Sequence, residues 1–174
     1  MWLVGMMGSG KSTVGPKLAR RLAWRFLDTD AQVEGDAGCS VAEIFEREGE
    51  EAFRERERRA LESAAGREAV VALGGGAIAQ PGALEVLSGS GTIVYLRARP
   101  ETLLARLGDC GTRPLLRGTA PGERRSLLAG LLAERRSAYQ SADVTVDTDE
   151  ASVAQVVERV MQALNETRGV EART

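Results

Sequence analysis

Histidine is missing from all 174 residues. Its absence excludes imidazole general bases and zinc sites built on imidazole, so any proton-transfer group must be a carboxylate or a lysine. Cysteine is nearly missing too. Cys39 and Cys110 lie far apart and form no ligand-like cluster, which points to a reduced, cytoplasmic protein. No apolar run approaches the ~20 residues that a membrane-spanning helix needs. The formal net charge of −2 provides no general basic field for nucleic acid or a membrane surface. Lysine is scarce as well: Lys11 and Lys17 are the only two among 23 basic residues. The rest are arginine, whose planar fork suits bidentate grips on phosphate and carboxylate. No repeat or low-complexity linker divides the chain. Its length fits one domain over 1–174, with a core that needs no disulfide or metal.

What is present is concentrated at the start. Trp2-Leu3-Val4 reads as a short apolar strand, and Gly5-Met6-Met7-Gly8-Ser9-Gly10-Lys11-Ser12 follows directly with the spacing G-x-x-x-x-G-K-[ST]. Glycines at these positions allow successive N–H groups to turn inward on a phosphate chain. The helix behind them adds the positive end of its dipole. Lys11 can then reach the β/γ-phosphates and the Ser12 hydroxyl can ligate Mg²⁺. The strand–loop–helix order separates this pattern from an ordinary glycine-rich turn, and the chain is expected to bind a nucleoside triphosphate. Because the loop begins at Gly5, no signal or transit peptide is expected ahead of it.

Further strand-like runs occur at Phe26-Leu27, 69–73, 92–96 and 144–146. Helices are predicted over 12–22, 41–48, 50–65, 82–87, 100–107, 121–138 and 150–164, with Pro100 and Pro121 suited to helix starts. Alternating strands and helices predict a doubly wound five-stranded parallel α/β sheet with ligands at the carboxyl ends of its strands. Pro16 falls a turn into the first helix, where a kink is expected. The stretch 108–123 carries four glycines, Gly108, Gly111, Gly118 and Gly122, around Arg113, Pro114 and Arg117, a composition suited to a mobile lid.

Three segments could carry chemistry. Asp28-Thr29-Asp30 follows the second apolar run and, if extended, aims both carboxylates to one side. One could serve Mg²⁺ and the other a hydroxyl nucleophile, while Asp30 would equally suit a helix N-cap. Gly74-Gly75-Gly76 ends the most hydrophobic strand and permits close approach of backbone to ligand, or simply a tight turn. That strand has no acid at its end, so Asp28 is the available metal carboxylate. Finally, Phe53-Arg54-Glu55-Arg56-Glu57 lies in a helix saturated with charge, mostly solvated pairs, in which Glu57 can hold Arg54.

Taken in order, these motifs resemble those of the shikimate kinase family over nearly the full length. The phosphate loop runs from Gly5 to Gly15, the family's D-x-D is Asp28-Thr29-Asp30, and its I-F-x-x-x-G-E-x-x-F-R-x-x-E segment spans Ile44 to Glu57. Its G-G-G is Gly74 to Gly76, its lid R-P-L-L is Arg113 to Leu116, and its R-x-x-x-Y is Arg135 to Tyr139. The resemblance implies a P-loop, nucleoside-monophosphate-kinase-like fold, with a substrate-binding segment at about 31–65 and a lid at about 108–123. It implies a cytoplasmic monomer that uses ATP and Mg²⁺ to phosphorylate the 3-hydroxyl of shikimate. Gly8, Ser9, Gly10, Lys11, Ser12 and Thr13 would bind ATP phosphates, with Arg106 against the adenine and Arg113 closing from the lid. Ser12 and Asp28 would serve the metal, and Lys11, Asp30 and Arg113 would be catalytic. Arg54 and Arg135, or Arg136 beside it, would clamp the shikimate carboxylate. Gly75, Gly76, Phe45 and Phe53 would line the ring, and Asp30 would meet its hydroxyls. The rivals are a gluconate kinase, a nucleoside monophosphate kinase, and a non-catalytic ATP-binding homologue.

Overall fold

The structure, a computed structural model, describes residues 1–108, 114–116 and 118–171, with residues 114 and 168–171 described by backbone alone. Arg113 and Cys110, both in the expected lid, lie outside the described residues. Five parallel strands form one sheet: β1 (Trp2–Val4), β2 (Arg25–Asp28), β3 (Ala69–Ala72), β4 (Ile93–Arg97) and β5 (Val144–Asp147), in the order β2-β3-β1-β4-β5. Parallel neighbours require crossovers. The helices are α1 (Lys11–Leu22), α2 (Thr29–Ala37), α3 (Val41–Ala64), α4 (Ala83–Ser90), α5 (Pro100–Leu107), α6 (Pro121–Glu134), α7 (Arg136–Gln140) and α8 (Val153–Glu171). The strand order reverses at β1, which lies between β3 and β4. Such a reversal opens a crevice at the strands' carboxyl ends, and the phosphate loop leaves β1 there.

The strands alternate between two apolar layers. Trp2, Val4, Val71, Ile93 and Tyr95 join a cluster with Leu61, Leu103 and Tyr139, whereas Leu3, Val70, Val94 and Leu96 join one with Leu18, Val156 and Val160. Covering both faces explains why β1 and β3 read as unbroken apolar runs rather than alternating ones. A third, smaller cluster of Val33, Ile44, Phe53 and Ala60 ties α2 to α3.

The expected doubly wound sheet is present, with local differences. Asp28-Thr29-Asp30 is not extended: α2 begins at Thr29, and Asp28, rather than Asp30, is its cap. The Asp28 Oδ1 accepts from the N–H groups of Asp30 at 3.1 Å and Ala31 at 3.3 Å, satisfying two orphan donors of the first turn. Only Thr29 and Val33 of α2 are buried, so no 3.6-residue stripe announces the helix. The long helix expected over 121–138 stops at Arg135, whose φ of −94° and ψ of 3° separate α6 from α7. The last helix starts at Val153 rather than Glu150, which takes a left-handed φ of 55°. The break at Gly49 is present, with φ 84° and ψ 176° inside α3. Helix α1 runs through Pro16 without a break.

Candidate active site

The phosphate loop curls over its own lysine. Lys11 Nζ donates to the carbonyls of Gly5 at 2.7 Å and Met6 at 3.3 Å. Gly5, Gly8 and Gly10 all take positive φ. A side chain at Gly5 would also collide with the Leu96 carbonyl at 2.6 Å, so glycine is required there by space as well as by conformation. Ser12 Oγ donates to Asp28 Oδ2 at 2.7 Å, while the other oxygen of Asp28 caps α2. One carboxylate thus fixes a hydroxyl from the phosphate loop to the end of β2. A hydroxyl and a carboxylate are hard oxygen donors of the kind Mg²⁺ accepts, with phosphate and water completing its shell. Among the described residues no three Asp, Glu, Cys or His side chains cluster as a metal cage. The donor set therefore fits a phosphate-bound Mg²⁺.

These groups line a cavity of about 550 Å³, which Gly8, Ser9, Gly10, Thr13, Asp30 and Arg106 also border. Arg106 closes one side. Its Nη1 donates to Thr148 Oγ1 at 2.9 Å and to the Gly8 carbonyl at 3.4 Å, bracing the loop against the connection after β5.

A second cavity, of about 70 Å³, lies between α3, the lid-side Leu115 and the triglycine turn. Met7, Asp30, Val41 and Gly75 border both cavities. Phe45 and Phe53 form one wall, with ring centroids 4.8 Å apart. Arg54 reaches in from α3, held by Glu57 Oε2 at 2.8 Å and by Glu50 Oε1 at 2.9 Å and 3.2 Å. Burial opposes the charge on Arg54, but Glu57 and Glu50 outweigh it and hold the guanidinium above its ordinary pKa. Glu57 is only 2% exposed. Burial pushes its pKa up and nearby Asp30 adds to the rise, against the opposing pull of Arg54 and Arg135. Burial acts on both groups, but their neighbours leave the guanidinium charged and the ionised carboxylate disfavoured.

The triglycine turn is pressed against these groups. A Cβ on Gly74 would meet Glu57 Oε1 at 2.2 Å and Asp30 Oδ1 at 2.7 Å, and one on Gly76 would meet Arg54 Nη1 at 2.8 Å. Glycine here lets two carboxylates and a guanidinium crowd against the turn without displacement. Thr29 anchors one end: its Oγ1 accepts from the Gly74 N–H at 3.0 Å. Arg135, buried at the joint after α6, donates from Nη1 to the Gly75 carbonyl at 3.2 Å. Arg136 is exposed and does not border the cavity, so Arg135 is the arginine that faces it.

The structure therefore brings Gly8, Ser9, Gly10, Lys11, Ser12, Thr13, Asp28 and Arg106 to one cavity. It brings Phe45, Phe53, Arg54, Gly76 and Arg135 to the other, with Asp30 and Gly75 between them. No individual role was assigned from the sequence to Thr29, Thr148 or Tyr139. Thr29 had one legible signal, its place between the two acids, and Tyr139 closes the R-x-x-x-Y pattern.

A sequence model described as shikimate kinase matches residues 7–165. A shikimate kinase of Moorella thermoacetica is 47% identical over 163 residues, covering 93% of this chain and 92% of that one. One from Synechococcus is 46% identical over 166 residues, covering 94% and 83% respectively. The solved structure of a shikimate kinase from Acinetobacter baumannii in complex with shikimate superposes with a TM-score of 0.90 at 37% identity, covering 95% of this chain and 92% of that one.

Proposed function

The chain belongs to the shikimate kinase family, and on that premise we propose that it transfers the γ-phosphoryl group of ATP to the 3-hydroxyl of shikimate, yielding shikimate 3-phosphate and ADP. One observation carries the assignment. Asp30 borders both the phosphate-loop cavity and the arginine-lined one, so a carboxylate stands between a nucleotide site and an acceptor site.

Placement and the family resemblance support the following roles. The loop N–H groups, Ser9 and Thr13 hold the phosphate chain, and Lys11 moves from its own loop carbonyls to the β/γ-phosphates. Arg106 borders the nucleobase end. Ser12 and Asp28 would hold Mg²⁺, which when bound would neutralise phosphate charge. Arg54 and Arg135 grip the acceptor carboxylate, with Phe45 and Phe53 against its ring and the backbone of Gly75 and Gly76 beneath it. Asp30 takes the proton of the attacking hydroxyl, whose oxygen forms the new P–O bond as the bond to ADP breaks. The family resemblance gives Arg113, which lies outside the described residues, the role of stabilising the charge spread over the transferred group. Lid closure excludes water, which would otherwise accept the phosphoryl group. Residues 31–65 form the acceptor-binding segment of a single domain over 1–174. The two isolated cysteines and the net charge of −2 support a cytoplasmic enzyme with no nucleic-acid partner, and the family resemblance supports a monomer. Among the described residues no helix is long and apolar enough to cross a membrane.

The test is ADP release from Mg·ATP with shikimate, with gluconate, and with no acceptor. Turnover with shikimate alone is expected. Turnover with gluconate instead, or none that depends on an acceptor, would overturn the assignment.

A further inference from the structure

Arg135 is not the only donor on the Gly75 carbonyl. Tyr139, one helical turn later, donates its hydroxyl to the same oxygen at 2.6 Å, against 3.2 Å for Arg135 Nη1. The backbone links the two residues as well, the Tyr139 N–H donating to the Arg135 carbonyl at 3.0 Å. A carbonyl has two lone pairs, and here both are taken by side chains from the α6–α7 joint. We propose that Tyr139 is a positioning residue for acceptor recognition: by fixing the Gly75 carbonyl, it sets where the Arg135 guanidinium and the following Gly76 peptide meet the acceptor's carboxylate and ring. The inference rests on the proposed function and assigns within it a residue that touches neither substrate.

Three features of Tyr139 suit that role. Its ring is 1% exposed and stacked on Tyr95, with centroids 4.8 Å apart and planes 6° off parallel, so the hydroxyl has little freedom to swing. Burial drives its pKa far upward, which keeps the hydroxyl a donor at every working pH. The carbonyl it holds belongs to a glycine followed by another glycine, a peptide with no side chain of its own to set its direction. At the other end of the turn Thr29 Oγ1 accepts from Gly74, so the segment is tied by one acceptor and one shared carbonyl. Without the tyrosine hydroxyl, Gly75 keeps only the longer bond from Arg135, and that bond must then orient both partners.

Tyr139→Phe retains the ring and its stacking and leaves no buried polar group without a partner, because Arg135 still donates to Gly75. A packing role alone therefore predicts unchanged kinetics. The positioning role predicts a rise in shikimate KM of about three- to tenfold, the scale of one buried hydrogen bond, with kcat and the ATP KM within about twofold. The same variant assayed with shikimate methyl ester, whose acid group carries no charge, should show a much smaller penalty. Tyr95→Phe, which alters the stacked partner but not the bond to Gly75, should leave shikimate KM unchanged. An unchanged shikimate KM in Tyr139→Phe, or an equal penalty on acid and ester, overturns the inference while the proposed function stands. A wild-type enzyme that does not turn over shikimate overturns both.

Discussion

Replacing Arg54 by lysine keeps the charge and removes the fork, so it isolates what the guanidinium geometry contributes. A guanidinium carries five N–H donors. In Arg54 three are engaged: Nε and one hydrogen of Nη2 on Glu50, and one hydrogen of Nη1 on Glu57. One hydrogen remains on each terminal nitrogen, so two donors are left for the two oxygens of an acceptor carboxylate. A lysine ammonium has three donors in all. If two stay with Glu50 and Glu57, one is left for the substrate, and one charge-assisted bond is lost. Such bonds contribute about 1.5–3 kcal/mol, which corresponds to a roughly 10- to 150-fold weaker Kd for shikimate. Binding is not abolished, because Arg135 still faces the cavity. Calorimetric titration of shikimate into the nucleotide-free enzyme reads this directly. The ATP KM serves as a control that the phosphate loop is undisturbed, and the thermal midpoint as a control that Glu57 still has a cationic partner. A shikimate Kd within about twofold of wild type would refute the bidentate reasoning, since it would mean that a point charge suffices.

Asp30→Asn should lower kcat by roughly 10²–10⁴, the usual scale for losing a general base, with ATP affinity within about twofold; near-normal turnover would remove Asp30 from that role. Glu57→Gln tests the electrostatics of the acceptor wall. The folded-state pKa of Glu57 lies above the ordinary 4.5, so the unfavourable contribution of its ionisation to stability is absent in acid and sets in as pH rises from 4.5 through the folded value. The glutamine variant should therefore melt at or above the wild-type temperature near neutral pH, with the difference shrinking towards about pH 4. A variant less stable at neutral pH, with the deficit disappearing in acid, would show that pairing with Arg54 outweighs burial.

Much of the sheet was legible because its inner strands are covered on both faces, which leaves short apolar runs that differ visibly from the charged helices between them. Ala69 to Leu73 and Ile93 to Leu96 are of this kind. The Gly49 break was legible for a similar reason, as a glycine within an otherwise continuous charged helix. Helix α2 was legible only through the N-cap reading of Asp30, which set its start two residues late. Its fold depends on a cap and on Val33 packing against Ile44 and Phe53, tertiary contacts that leave too faint a periodicity in nine residues. The joint at Arg135 was hidden likewise, because no glycine or proline marks it. What stops the helix there is set by where Arg135 and Tyr139 must reach, and both end on a carbonyl some 60 residues earlier in the chain.

The failure at Asp28-Thr29-Asp30 bears most on mechanism. In an extended chain the two carboxylates would share a side and compete for one partner. The turn into α2 rotates successive residues by about 100° each, which separates three adjacent side chains onto three tasks. Asp28 stays with Ser12 at the phosphate loop, Thr29 turns inward onto Gly74, and Asp30 turns towards the acceptor cavity and Glu57. The cap that starts the helix is made by Asp28 itself, through the oxygen that Ser12 does not use. The separation of a carboxylate at the phosphate loop from one at the arginine-lined cavity is therefore a consequence of helix capping. It follows that the two acids are not interchangeable despite their shared motif: removing Asp28 would disturb the helix that aims Asp30, whereas removing Asp30 would leave the Ser12 contact in place.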